Sequence, residues 1–320
     1  MPYKITEKRS NNYSDDEITP QFIIIHCIGY DEDFALKILT KPVSEGGGGV
    51  SAHFFIPQIK KLNNHYPIYQ LVPDNKRAWH AGVSSWGETV SLNTCSIGIE
   101  FHSPNYANAL QAGQNSLDWF HFEEFEEEQI NAGIELILDL MKKYNIKPEN
   151  IIGHSDIAPY RENSTKEIIL GKTDPGATFP WKKIAQAGIG SWPKSYRTRS
   201  DELDTRVQNV QALLADYGYS VFKTGILDLK TQHVIKAFQM HFMPQQCDGS
   251  ISAEMVIYLE NLINHQLEYS DKRSHTADNQ IELYDFGSKL HSGPVLLWSF
   301  GKKDNPTHQN LVRANSSYRP

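Results

Sequence analysis

Three short apolar segments run into residues that hold metals or move protons. Phe22-Ile23-Ile24-Ile25 ends at His26, Ser96-Ile97-Gly98-Ile99 leads into Glu100, and Ile151-Ile152-Gly153 is followed by His154. Apolar, β-branched runs of this length read as buried strands. A fourth segment, Gly171-Lys172-Thr173-Asp174-Pro175-Gly176, reads as a loop beside such a strand and carries a carboxylate. Two imidazoles and one carboxylate, His26, His154 and Asp174, suit a zinc site with a fourth position open to water. Such sites bring the pKa of bound water close to neutrality. Glu100 has the chemistry of a general base, and Lys172, two residues before the carboxylate, that of an oxyanion stabiliser. Together the five residues suggest a zinc hydrolase acting on an amide.

The segments around these residues resemble the zinc-dependent N-acetylmuramoyl-L-alanine amidases of the amidase-2 type, relatives of T7 lysozyme and the peptidoglycan recognition proteins. The matching pieces are IIIHCIG, VSAHFFIP, IYQLVPDNKRAWHAGVSSW, LNTCSIGIEF, KPENIIGHSDIAP and KTDPGATFPW, in the family's order, over roughly residues 20–193. Within the family the likeness is to AmiD-type envelope amidases. The resemblance implies cleavage of the amide between the lactyl group of N-acetylmuramic acid, or its anhydro form, and the first L-alanine of the stem peptide. It also implies a mixed central sheet flanked by helices, an α/β fold. His80, in Trp79-His80-Ala81-Gly82, matches a family position that lines the substrate cleft, and Asn93 stands where an asparagine contacts the stem peptide. Asp156 is a competing ligand, but in the family its place beside the second histidine is structural. The chain departs from the pattern at two points. Cys27 replaces the aromatic residue common after the first histidine, and His154 and Asp174 lie 20 positions apart, more than the family usually shows. The extra residues fall around Asn163–Leu170.

At 320 residues the chain exceeds one typical domain. Its net charge of −7 and lack of a basic stripe argue against a protein built for nucleic acid. No apolar run approaches the ~20 residues of a membrane span, and Met1-Pro2-Tyr3-Lys4-Ile5-Thr6 shows no apolar signal-peptide core. Three cysteines, Cys27, Cys95 and Cys247, give no disulfide framework. Cys27 beside His26 does not make a nucleophilic pair, because adjacent strand residues point to opposite faces.

A helix is expected over the stretch carrying Phe125, Ile130, Ile134, Ile137, Leu138, Met141 and Tyr144, with glutamates at its start and Lys142 and Lys143 near its end. Taken together, residues 1–195 read as the catalytic domain. Residues 201–268 read as a small three-helix domain resembling the type 1 peptidoglycan-binding domain, through TGILD and KAFQ. Residues 270–320 form a C-terminal extension of no assigned role, with Pro294–Phe300 its strand candidate. Since every catalytic candidate lies before residue 195, a chain cut near Asp201 is expected to keep its chemistry on soluble fragments and lose tethering to polymer. The expected partner is peptidoglycan or muropeptide, with no nucleic acid and no transmembrane segment, and the chain is read as a monomer. The helical domain favours the cell envelope; the missing signal peptide favours the cytoplasm. Two other readings stay open: a non-catalytic peptidoglycan-recognition protein and a cytosolic amidase recycling anhydro-muropeptides. The retained ligands with Glu100 and Lys172 speak against the first, the helical domain against the second.

Overall fold

In the computed structural model, which describes residues 3–58, 65–103, 125–193 and 203–266, the predicted apolar segments are neighbours at the centre of a sheet. The strands in chain order are β1 (Tyr3–Glu7), β2 (Tyr13–Glu17), β3 (Phe22–Ile28), β4 (Phe54–Ile56), β5 (Tyr66–Gln70), β6 (Lys76–Ala78), β7 (Ser85–Trp86), β8 (Thr89–Val90), β9 (Ser96–His102), β10 (Ile151–Gly153), β11 (Tyr160–Glu162) and β12 (Ile168–Leu170). The main sheet has six strands in the order β1-β5-β4-β9-β3-β10. It is parallel apart from the β4–β5 pair. Nearly every residue of β3 and β9 is buried, as expected for central parallel strands covered on both faces. The mixed sheet expected from the sequence is therefore present.

Alternation along β3 divides its side chains between two layers. Ile23 and Ile25 pack with Ile97, Ile99 and Phe101 under the Glu127–Tyr144 helix. The deepest line of that helix is Ile130, Gly133, Ile137 and Leu140, whereas Ile134, Leu138, Met141 and Tyr144 sit only partly buried. The face is rotated from the expected stripe because Gly133 meets the sheet: a Cβ there would lie 2.5 Å from the ring of Phe101. Asn145 ends the helix in the left-handed conformation.

Phe22 and Ile24 belong to the other layer, and there the chain differs from two self-sufficient domains. Helices Val207–Tyr217, Leu229–Phe242 and residues 253–266 supply Val210, Leu214, Val234, Phe238, Met255 and Leu259 to a core that also contains Phe22, Ile24, Trp86, Ile152, Ile157 and Ala177. The three helices thus close one face of the catalytic sheet, and Met1–Asp271 cluster as one compact unit. Removing them would strip this face of the sheet of its apolar cover. The second unit, Lys272–Pro320, with the Pro294–Phe300 strand candidate, lies outside the described residues. Among the described residues no helix is long and apolar enough to cross a membrane.

Candidate metal centre

His26 and Glu100 stand in register on neighbouring parallel strands, so both side chains leave the same face of the sheet, near the strands' C-terminal ends. On the far side of β3, β10 ends at Gly153 and passes into a short helical turn, His154–Ile157. The backbone N–H of Ser155 in that turn donates to the carbonyl of Asp174 at 2.8 Å. One turn therefore carries the second imidazole and ties down the residue that carries the carboxylate.

The three donor atoms meet at one point. His26 Nδ1 lies 2.9 Å from His154 Nδ1 and 3.1 Å from Asp174 Oδ2, and His154 Nδ1 lies 3.0 Å from the same oxygen. Tetrahedral zinc with ligand bonds of ~2.0–2.1 Å spaces its donors about 3.3 Å apart, a few tenths of an ångström from this triangle. The tautomer of His26 can be read from the groups behind it. Leu92 O only accepts, so the Ser96 hydroxyl donates to it at 2.5 Å and its oxygen accepts from His80 Nε2–H at 3.3 Å. His80 Nδ1 is then an acceptor for His26 Nε2–H, 3.1 Å away. His26 Nδ1 is left with a bare lone pair aimed at a second imidazole nitrogen and a carboxylate oxygen. Acceptors gathered this closely need a proton or a cation between them. The set fits a metal ion, and these residues form the metal-ligating cluster found among the described residues.

Burial and charge agree with that chemistry. Desolvation, with the neighbouring His154, lowers the pKa of His26 to about 4 and keeps the ring neutral, as a ligand requires. Burial alone would raise the Asp174 carboxyl, but its close contacts with His154 and His26 hold it below the usual carboxylate range, so the carboxylate stays ionised as a ligand requires. Glu100 is 8% exposed, and its Oε2 has no hydrogen-bond partner among the described residues. Burial first, then the Asp174 charge, push its pKa well up, while Lys172 pulls the other way. Lys172 is exposed, and its backbone is fixed by an N–H bond to Ala158 O at 2.8 Å. The Cys27 thiol is buried and raised well above its ordinary value, first by desolvation, which leaves it protonated and a poor nucleophile.

Two further expected site residues, His80 and Asn93, are engaged in contacts within the chain. His80 is 7% exposed, and both of its ring nitrogens are engaged, with His26 and Ser96. It stands directly behind the His26 ring. Asn93 Oδ1 accepts from the N–H groups of His80 and Ala81 at 3.1 and 2.7 Å, so it holds the Trp79–Gly82 segment in place. Asp156 points away from the metal donors into bonds with Gly153, Tyr219 and His241. Sequence reasoning missed Ser96, Gly98, Tyr219 and His241. The small residues alternating along β9 were the available signal for the first two; no local pattern marks the last two. The inserted segment forms the β11–β12 hairpin, which lies against the Leu229–Phe242 helix.

Comparison with known proteins agrees with this geometry. The family described as N-acetylmuramoyl-L-alanine amidase matches residues 16–177. The chain belongs to this amidase family. It is an enzyme of the amide-hydrolase type, and a match to the putative peptidoglycan binding domain covers residues 204–256. It is 38% identical to the N-acetylmuramoyl-L-alanine amidase AmiD of Escherichia coli over 75% of this chain and 81% of the relative. The structure of E. coli AmiD in complex with anhydro-N-acetylmuramic acid-L-Ala-D-gamma-Glu-L-Lys superposes with a TM-score of 0.63 at 34% identity, covering 78% of this chain and 91% of that one. AmpDh3 from Pseudomonas aeruginosa with anhydromuramic pentapeptide gives 0.62 at 30% identity, covering 80% and 97%.

Proposed function

We propose that this amidase is zinc-dependent and cuts the bond between N-acetylmuramic acid, or its anhydro form, and the L-alanine of the stem peptide. His26, His154 and Asp174 would hold the metal. The observation that carries the reading is the meeting of three acceptor atoms within about 3 Å of one another, beside a buried carboxyl in register on the next strand. When bound, zinc supplies Lewis-acid activation of water and of the scissile carbonyl. Glu100 has the placement and raised proton affinity to take a proton from the attacking water and pass it to the departing amine of L-alanine. Lys172, whose positive charge reaches Glu100 and His26, stabilises negative charge gathering on the carbonyl oxygen. The related complexes with anhydro-muropeptides support the substrate class. The peptidoglycan-binding match supports work at the cell envelope over a purely cytosolic recycling role. A non-catalytic recognition protein has no use for Glu100 and Lys172 beside an intact ligand set.

Mass spectrometry of products from soluble anhydro-muropeptide and from intact sacculi tests the reading. Free stem peptide with an N-terminal L-alanine, lost on chelation and restored by zinc, is the expected result. Binding without peptide release would leave the recognition protein as the correct account.

A further inference from the structure

Asp156 is 1% exposed and lies two residues beyond His154. A buried carboxylate is costly unless its oxygens are satisfied. Here Oδ1 accepts from the Tyr219 hydroxyl at 2.6 Å, and Oδ2 accepts from the Gly153 N–H at 2.8 Å and from His241 Nδ1 at 2.8 Å. Two of the three donors come from the helical region, one following the Val207–Tyr217 helix and one near the end of the Leu229–Phe242 helix. His241 cannot swing away easily. Its ring stacks on Trp181 at 3.8 Å on one side and on Phe242 at 4.0 Å on the other. The turn itself has little slack, because a Cβ on Gly153 would lie 3.1 Å from the Asp156 carboxylate and 3.1 Å from Pro175.

We propose that the helical region is a positioning element of the metal centre. Tyr219 and His241 grip Asp156, and through the His154–Ile157 turn they set the bearing of His154 and, by way of the Ser155 N–H, the backbone of Asp174. The inference rests on the reading of His154 and Asp174 as metal ligands. It differs from tethering, in which the helices only raise the local concentration of polymer. A tether can be removed without changing the metal site. Removing this grip would leave a buried carboxylate with one donor of three beside the ligand turn, and the turn would shift to let water in. Groups that orient ligands from behind typically change metal affinity by 10–100-fold.

The test uses the full chain and reads metal affinity as well as turnover. Tyr219→Phe removes one oxygen; His241→Leu removes the donor; His241→Asn returns a side-chain N–H near the position of Nδ1. Leu259→Ala, at a fully buried site in the same helical core with no bond to Asp156, serves as the comparison. Zinc dissociation constants come from competition with a chromophoric chelator, on proteins whose far-UV spectra and melting transitions show them folded. The expected result is a zinc affinity about 10-fold lower in each of Tyr219→Phe and His241→Leu and substantially recovered in His241→Asn. kcat on soluble muropeptide should fall more than KM changes. Leu259→Ala should melt earlier yet bind zinc as the native chain does. Should His241→Leu not fold, Tyr219→Phe decides alone, because it leaves the packing volume nearly intact. Native zinc affinity in folded Tyr219→Phe and His241→Leu would overturn the inference and leave the helices as a structural cover. Failure of the native chain to bind zinc would instead overturn the metal reading.

Discussion

The imidazole of His80 occupies the space above Gly98: a Cβ built on that glycine would lie 2.5 Å from the ring's Cγ. Gly98 is a strand residue with ordinary backbone geometry, so its lack of a side chain matters for room and not for conformation. His80 fills that room and accepts from His26 Nε2–H. Gly98→Ala should therefore push His80 off the sheet and free His26 to rotate. A 10–100-fold weaker zinc affinity is expected, with several degrees lost in Tm from overpacking. Chelator competition and thermal melts check it. Unchanged zinc affinity would show that His80 does not orient His26.

The sheet and the cluster of candidate metal donors were legible because each is written locally. β3 and β9 are nearly unbroken apolar runs, and His26, Glu100 and His154 sit at or just beyond strand ends where periodicity places them. Asp174 was legible from its loop and from the family resemblance. What lay beyond the sequence depends on pairs far apart in the chain. His80 meets Gly98 because of how the Trp79–Gly82 segment is carried back over the sheet by Asn93. His241 meets Asp156 from 85 positions away, and a histidine inside an amphipathic helix gives no sign of its partner. The helices' shared core with Phe22 and Ile24 is hidden for a related reason: a three-helix pattern shows which faces are apolar but not what covers them.

Elemental analysis of the purified native chain should give one zinc per molecule, bound at His26, His154 and Asp174. His26→Ala and Asp174→Ala should each lose most of it, because three protein donors are the minimum for an open catalytic site. Full zinc content in His26→Ala would place the metal elsewhere.

Glu100→Gln keeps the shape of the side chain and removes its proton chemistry. No metal donor is touched, so zinc content should match the native chain. Turnover of soluble muropeptide should fall by ~10²–10⁴-fold, the usual range for loss of a general acid or base. A near-native rate with normal zinc content would move the proton-handling role to another group.

His53 sets a pH dependence of stability that is separate from catalysis. It is fully buried, accepts from the Gly98 N–H at 2.9 Å through Nδ1, and donates from Nε2 to Lys76 O at 2.8 Å. The bond from Gly98 demands the neutral ring, since a protonated Nδ1 cannot accept. Burial is the main cause of its lowered pKa, which falls from 6.5 to about 4 and is only partly opposed by the bond to Lys76 and the charge of Asp74. The unfolded chain, with an ordinary histidine, takes up its proton first as pH falls. Stability is therefore fully present above pH 6.5 and is lost progressively as pH drops through 6.5 toward about 4. For one fully buried group the loss across that window is on the order of 3 kcal/mol. His53→Gln removes the titration and keeps a side chain able to donate and accept, so its unfolding free energy should be lower at pH 7 but flatter with pH. Urea unfolding of both proteins from pH 8 to pH 4.5 measures the difference, and subtraction cancels the carboxylates common to both chains. The native-minus-variant gap should shrink steadily below pH 6.5. Two parallel curves would mean that the folded chain protonates His53 as readily as the unfolded chain does, and that burial does not hold the ring neutral.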